Sequence, residues 1–347
     1  MIKISEPLIG KEEKEEVVKV IESGMLVQGE KVKEFEEKFS KYVGSKHAIA
    51  VNSGTAALHL SLLSLGIKEN DEVITSGFSF IASANSVKFC NGKVKFVDIK
   101  DDYNIDSSKI KEKINEKTKV IMPVHLYGNS CDMDEILEIA KENNLKVVED
   151  CCQAHGAEYK GKKLPIGDVG CFSFYPSKNM TTGEGGMIVT NDDEINEKCR
   201  LLRDHGSKER YKHEILGYNY RMMDMNAVIG IKQLERLDEF NKKRIENAEF
   251  YNKNLKNVKK PVTEKEKKHV YHQYTVRVKN RDEVIKKLEE NGIGYGIYYD
   301  KPIYKQESYN EDLNLENTEK ICKEVLSLPV HPNLTEKDLK KVVEVFK

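Results

Sequence analysis

The sequence contains no apolar stretch near the ~20 residues that a membrane-crossing helix requires. It also lacks any surplus of one charge: formal net charge is −1 with 33% of residues charged. The lysines, including the pairs Lys259-Lys260 and Lys267-Lys268, are scattered among glutamates, so no global field favours nucleic acid or an anionic membrane. There is no C-x-x-C pair and no histidine cluster at zinc spacing, which leaves no metal site to expect. The seven cysteines, at 90, 131, 151, 152, 171, 199 and 322, form an odd set that reads as reduced, mostly buried thiols. Cys151 and Cys152 adjoin Asp150 and read as packing residues. Internal repeats and low-complexity linkers are missing too. The charged run Lys11-Glu12-Glu13-Lys14-Glu15-Glu16 leaves no room for a secretory apolar segment, so a cytoplasmic protein is expected.

What is present is alternation. At 347 residues the chain exceeds one typical core and allows two lobes. Strand-like apolar runs fall near 47–52, 72–75, 94–98, 118–124, 145–149, 169–174 and 186–190, many separated by amphipathic segments such as 54–65 and 132–143. This pattern predicts an α/β sheet with helices on both faces and ligands at the carboxyl ends of its strands. From Asp224 to about Leu255, the residues Ala227, Ile229, Ile231, Leu234, Leu237 and Phe240 keep helical spacing and are expected to link the lobes. A strand-like run at 272–278 and helical segments near 281–291, 317–326 and 335–347 then suggest a smaller α/β domain. The expected division is 1–240 for a large domain and 241–347 for a small one.

Lys178 carries the chemical signal. It stands in Ser173-Phe174-Tyr175-Pro176-Ser177-Lys178-Asn179, followed by Thr181-Thr182-Gly183-Glu184-Gly185-Gly186, a context of proline, hydroxyls and glycines that cannot form a helix interior. Such a context suggests a placed amine. Upstream, Asp150 ends the strand-like Leu145–Asp150 run, with Gln153 three residues on. A Schiff-base amine with an acidic partner is what pyridoxal phosphate (PLP) chemistry requires, because the cofactor draws electrons only while its ring nitrogen stays protonated beside a carboxylate. A phosphate site is available where the run His47–Val51 meets Asn52-Ser53-Gly54-Thr55 and a helical pattern begins at Ala56. Free N–H groups and the helix dipole favour an anion there, and small residues allow close approach.

These runs resemble the DegT-like nucleotide-sugar aminotransferases, members of PLP fold type I. The resemblance begins at Ser5–Gly10 and continues through Gly24–Gly29, Val124-His125-Leu126-Tyr127-Gly128, Asp204-His205-Gly206 and Gly217-Tyr218-Asn219-Tyr220-Arg221-Met222. It ends near Leu328-Pro329-Val330-His331-Pro332. It implies a large domain with a mostly parallel seven-stranded sheet flanked by helices, plus a smaller C-terminal α/β domain.

For the site, the resemblance implies PLP held on Lys178, with Asp150 on its ring nitrogen and Gln153 near its phenolic oxygen. Ser173 together with Gly54, Thr55 and Ala56 would bind the phosphate, and Phe80 would stack on the ring. Asn219 would reach across a homodimer into the neighbouring active site. Arg221 is a candidate for anionic parts of the substrate, with an intrachain salt bridge as the alternative, and Tyr299 lies in a late loop that would meet the sugar. The implied reaction moves an amino group, from L-glutamate, to C3 or C4 of a nucleotide-linked keto sugar. Two departures affect specificity: Ser76 stands where relatives commonly have proline, and Tyr298–Tyr304 lacks a histidine that many carry. Alternatives are a sugar dehydratase, which has histidine where this chain has Lys178, and a non-catalytic binding protein of the same fold.

Overall fold

The computed structural model describes residues 1–347. Its centre is a seven-stranded sheet: β1 His47–Val51, β2 Glu72–Ser76, β3 Lys93–Val97, β4 Thr118–Met122, β5 Lys146–Asp150, β6 Val169–Ser173 and β7 Gly186–Thr190. The spatial order is β1-β7-β6-β5-β4-β2-β3. Only β7 runs antiparallel to its neighbours, pairing Gly186 with Val51 of β1 and with Ser173 of β6. All seven strands fall where the apolar runs predicted them.

Successive side chains of a strand point to opposite faces, so a sheet covered on both sides reads as a continuous apolar run. In β1, Ala48 and Ala50 join one core cluster while Ile49 and Val51 join the other. The first cluster packs against α2 Glu30–Val43, α5 Met133–Glu142 and the first half of α7 Asp224–Asn254. The second packs against α3 Gly54–Ser64, α4 Ala82–Phe89 and α6 Asp193–Arg203. The amphipathic helix α1, Lys11–Ser23, lies along α7.

Local chemistry explains the helix ends. Helix α2 sets Phe35 and Phe39 one turn apart on its buried face, their rings 6.0 Å apart, and stops at Gly44 in the left-handed conformation (φ 78°). Where α2 meets α7, a Cβ on Gly230 would lie 2.6 Å from the Phe35 ring, so glycine permits this contact. The buried Glu36 of α2 accepts from Arg203 at 2.6 Å, Arg200 at 2.9 Å and the Ala50 N–H at 2.9 Å, which ties α2, α6 and β1 together. Removing one partner of such a buried cluster costs about 3–5 kcal/mol.

The long helix α7 crosses residue 240 without a break. Its Leu237 belongs to the sheet cluster, whereas Ala248 and Tyr251 belong to a third cluster. That cluster contains the antiparallel pair β8 Tyr274–Arg277 and β9 Val325–Leu328, with residues of α8 Arg281–Glu290 and α10 Glu336–Glu344. Ile2 packs into it as well, so the chain's first residues meet its last third. Helix α9, Glu316–Glu324, ends before the expected 326 because Val325 opens β9, where all four residues are buried and paired. No helix is long and apolar enough to cross a membrane.

Candidate active site

A cavity of about 470 Å³ opens where β1, β5 and β6 end. The end of β5 delivers Asp150, 5% exposed. Its Oδ2 accepts from Ser83 Oγ at 2.7 Å and its Oδ1 from the Cys152 N–H at 3.1 Å. The carboxylate is thereby fixed in direction without a basic partner. Gln153, one turn further, accepts the Tyr127 N–H at 2.8 Å through Oε1, and its Nε2 donates to Tyr299 Oη at 3.4 Å.

After β1, Ser53 caps α3 with extended backbone, and its Oγ accepts the Ala56 N–H at 3.1 Å. The N–H groups of Gly54 and Thr55 remain without partners at the positive end of the helix, facing the cavity that both residues line. Space here is tight: a Cβ on Gly54 would meet Ser173 Cβ at 2.6 Å and Cys152 Sγ at 3.0 Å. Ser173, the last residue of β6, lines the same corner.

Lys178 comes from the turn after β6, where its N–H donates to the Tyr175 carbonyl at 2.9 Å. Its side chain lines the cavity and makes neither a hydrogen bond nor an ion pair. Burial holds the amine below the ordinary lysine value, against the opposing pull of Cys152 and Asp150. A larger fraction of the amine is therefore unprotonated and nucleophilic than in an exposed lysine. Burial also pushes the neighbouring Cys152 thiol well above its usual range, with Asp150 adding to it, so this sulfur is a packing atom.

Of the residues singled out from sequence, Gly54, Thr55, Phe80, Asp150, Gln153, Ser173, Lys178 and Tyr299 line one cavity. Phe80 is 56% exposed and leans against Tyr299, ring centroids 6.2 Å apart. Three others stand apart. Ala56 does not line the cavity, because its N–H is taken by the cap. Asn219 is exposed and pairs in a bridge with Asp204, outside the cavity of its own chain. Arg221 forms an ion pair with Asp204, the intrachain alternative, and does not reach the cavity. Cys152 lines the site beside Asp150, as the packing reading had it, whereas Ser83, His272 and Gln273 line it without having been expected there. Ser83 had a faint signal, a small polar residue on a helix following Phe80. His272 and Gln273 open a strand-like run and read as strand residues.

The arrangement fits PLP on several independent grounds. An unpaired amine shares a cavity with an oriented carboxylate, and a glycine-lined helix N-terminus with free N–H groups suits a phosphate. The comparisons agree. Residues 7–347 match the model of the DegT/DnrJ/EryC1/StrS aminotransferase family. The chain is 41% identical to a GDP-perosamine synthase of Caulobacter vibrioides, covering 99% of this chain and 96% of that one. It is 42% identical to a dTDP-3-amino-3,6-dideoxy-alpha-D-galactopyranose transaminase of Aneurinibacillus thermoaerophilus, over 96% of this chain and 94% of the other. Among solved structures, S. venezuelae DesV in complex with a ketimine intermediate superposes with a TM-score of 0.94 at 35% identity, covering 96% of this chain and 93% of DesV. The protein belongs to the DegT/DnrJ/EryC1/StrS aminotransferase family. It is a PLP-dependent aminotransferase of fold type I.

Proposed function

We propose that the protein transfers an amino group from L-glutamate to the keto carbon, C3 or C4, of a nucleotide-linked keto sugar, for the assembly of aminosugars and the glycans or polysaccharides built from them. The observation that carries this reading is the unpaired amine of Lys178 in one cavity with the oriented Asp150 carboxylate. Relatives named for GDP-linked and dTDP-linked sugars support the substrate class.

Bound PLP supplies an electron sink that weakens the C–H bond next to the attached nitrogen. Lys178 Nζ tethers the cofactor between turnovers and, once released, carries the proton between the substrate carbon and the cofactor. Asp150 holds the proton of the ring nitrogen. Gln153 directs an amide at the phenolic oxygen while its Oε1 stays on the Tyr127 N–H. Ser173, Thr55 and the free N–H of Gly54 receive the phosphate, and Phe80 covers the ring. In the first half-reaction glutamate gives up its nitrogen and, with a water supplying the new keto oxygen, leaves as 2-oxoglutarate. In the second the nitrogen passes to the keto carbon, whose oxygen leaves as water.

In a homodimer, the partner subunit's Asn219 completes the phosphate site, consistent with its exposure and its absence from the lining of its own chain's cavity. Arg221 contributes to an anionic part of the substrate once Asp204 releases it, and Tyr299 lies along the sugar. The setting is the cytoplasm. The test is the visible absorption of the PLP-loaded protein, followed as L-glutamate is added and then as keto nucleotide sugars are supplied. Glutamate should bleach the band of the lysine-bound cofactor, and the right sugar should restore it. A band indifferent to glutamate would remove glutamate as donor; no lysine-bound band at all would remove the assignment of Lys178.

A further inference from the structure

Asn179, next to Lys178 in sequence and 3% exposed, fixes the protonation of a histidine in the cavity wall. Its Nδ2 donates to the Val270 carbonyl at 3.1 Å and to Asn241 Oδ1 at 2.8 Å. Asn241 is oriented in the same way, since its Nδ2 donates to the His155 carbonyl at 2.8 Å. Carbonyl oxygens only accept, so both amides can point in one direction only. The atom facing His272 Nδ1 at 3.3 Å is therefore Asn179 Oδ1, an acceptor. His272 must carry its proton on Nδ1, and Nε2 must hold a lone pair.

That lone pair is available. His272 is 4% exposed and lines the cavity. Its Nε2 has no partner in the protein, yet it is not sealed off, unlike the ring nitrogens of His59 and His155. Burial, reinforced by the charges of Lys178 and Arg244, holds the ring well below the ordinary histidine value, so it stays neutral. Gln273 follows, 6% exposed, lining the same cavity with its side-chain amide also unpartnered. Both groups are open to the cavity and free of protein partners, so two adjacent hydrogen-bonding groups on one wall suit a ligand that pairs them.

We propose that His272 Nε2 and the Gln273 amide are a hydrogen-bonding pair that reads hydroxyl groups of the sugar ring beside its keto carbon, an assignment resting on the function proposed above. A neutral lone pair accepts from a hydroxyl and repels a carboxylate, so this wall selects the sugar and not the amino acid. Gln273 offers both a donor and an acceptor and completes the contact with a second hydroxyl. Because the tautomer is set through Asn179 and Asn241 by the backbone carbonyls of Val270 and His155, the acceptor keeps its direction whether or not substrate is bound.

The test separates the half-reactions. Protein loaded with pyridoxamine phosphate is mixed with GDP-, dTDP- and UDP-linked 3-keto and 4-keto sugars in single-turnover absorbance measurements, and the best of them is used with variants. The PLP-loaded protein with L-glutamate and its PLP affinity are the references. His272→Leu and Gln273→Leu should each slow the sugar half-reaction about tenfold to a hundredfold more than the glutamate half-reaction. His272→Gln, which returns an acceptor, should recover part of the loss. Equal slowing of both half-reactions in both leucine variants, or slowing of neither, would overturn the assignment. Gln273→Leu keeps the question open to refutation should His272→Leu fold poorly, since Gln273 lies outside the amide chain. A wild-type protein that converts none of these sugars would instead overturn the proposed function, and this inference with it.

Discussion

On the wall of the cavity built from strand ends, the side chains that orient are already held, while the Lys178 amine and the N–H groups of Gly54 and Thr55 stay free. Asp150 receives Ser83 and the Cys152 N–H, Gln153 receives the Tyr127 N–H, and Ser53 is occupied in capping α3. On the wall contributed by residues 272–299, His272 Nε2 and the Gln273 amide have no protein partner. The difference follows from what each wall meets. A wall that binds the same cofactor in every cycle can be preorganised by its own hydrogen bonds, which removes the cost of ordering at the moment of binding. A wall that discriminates between substrates gains most from groups left unsatisfied until the right hydroxyl arrives, because a wrong ligand leaves them unpaired.

The comparison is tested most severely at Lys178. Lys178→Ala should abolish covalent attachment of PLP, read by mass spectrometry after borohydride reduction, and lower turnover by at least about 10³-fold. Thermal stability should hold or rise, since an unpaired, half-buried amine is removed. Turnover within tenfold of wild type would mean that this wall is not where the chemistry happens.

A smaller effect is expected at Asp150. Asp150→Asn keeps the shape and one oxygen, yet loses the charge beside the ring nitrogen and leaves a carboxamide N–H₂ facing one of two donors, Ser83 Oγ or the Cys152 N–H. Turnover should fall about 10²-fold, in both half-reactions alike, and stability by about 1–3 kcal/mol. The equality is the informative part. A loss confined to the sugar half-reaction would move Asp150 to the discriminating wall.

The same division explains what could be read from sequence. The strands announced themselves because a sheet covered on both faces needs unbroken apolar runs, and Asp150, Gly54 and Lys178 because they interrupt those runs at their ends. The reversal of β7 was not legible, since an apolar run carries no direction, and only the two-sided pairing at Gly186 reveals it. His272 and Gln273 were missed for a related reason. They stand at the start of a strand whose later residues are core, and nothing local marks that the amide chain from His155 through Asn241 and Asn179 ends on His272. Arg221 shows the converse. Its guanidinium suited an anion, but Asp204, seventeen residues upstream in the chain, meets it across the bridge that joins Asp204 to Asn219.

The smallest predicted effect lies at the seam between the walls. Tyr299 Oη accepts from Gln153 Nε2 at 3.4 Å, while its ring packs on Phe78 and Phe80 with centroids 6.1 and 6.2 Å apart. Burial holds the hydroxyl above the ordinary tyrosine range, so it remains a donor at any pH where the protein works. Tyr299→Phe keeps both ring contacts and removes one long hydrogen bond, so stability should change by less than about 1 kcal/mol. If Tyr299 belongs with the sugar, the sugar half-reaction should slow about twofold to tenfold while PLP affinity, measured by titration of the apoprotein, holds. If PLP affinity falls by the same factor, the hydroxyl acts through Gln153 on the cofactor, and the discriminating wall contracts to His272 and Gln273.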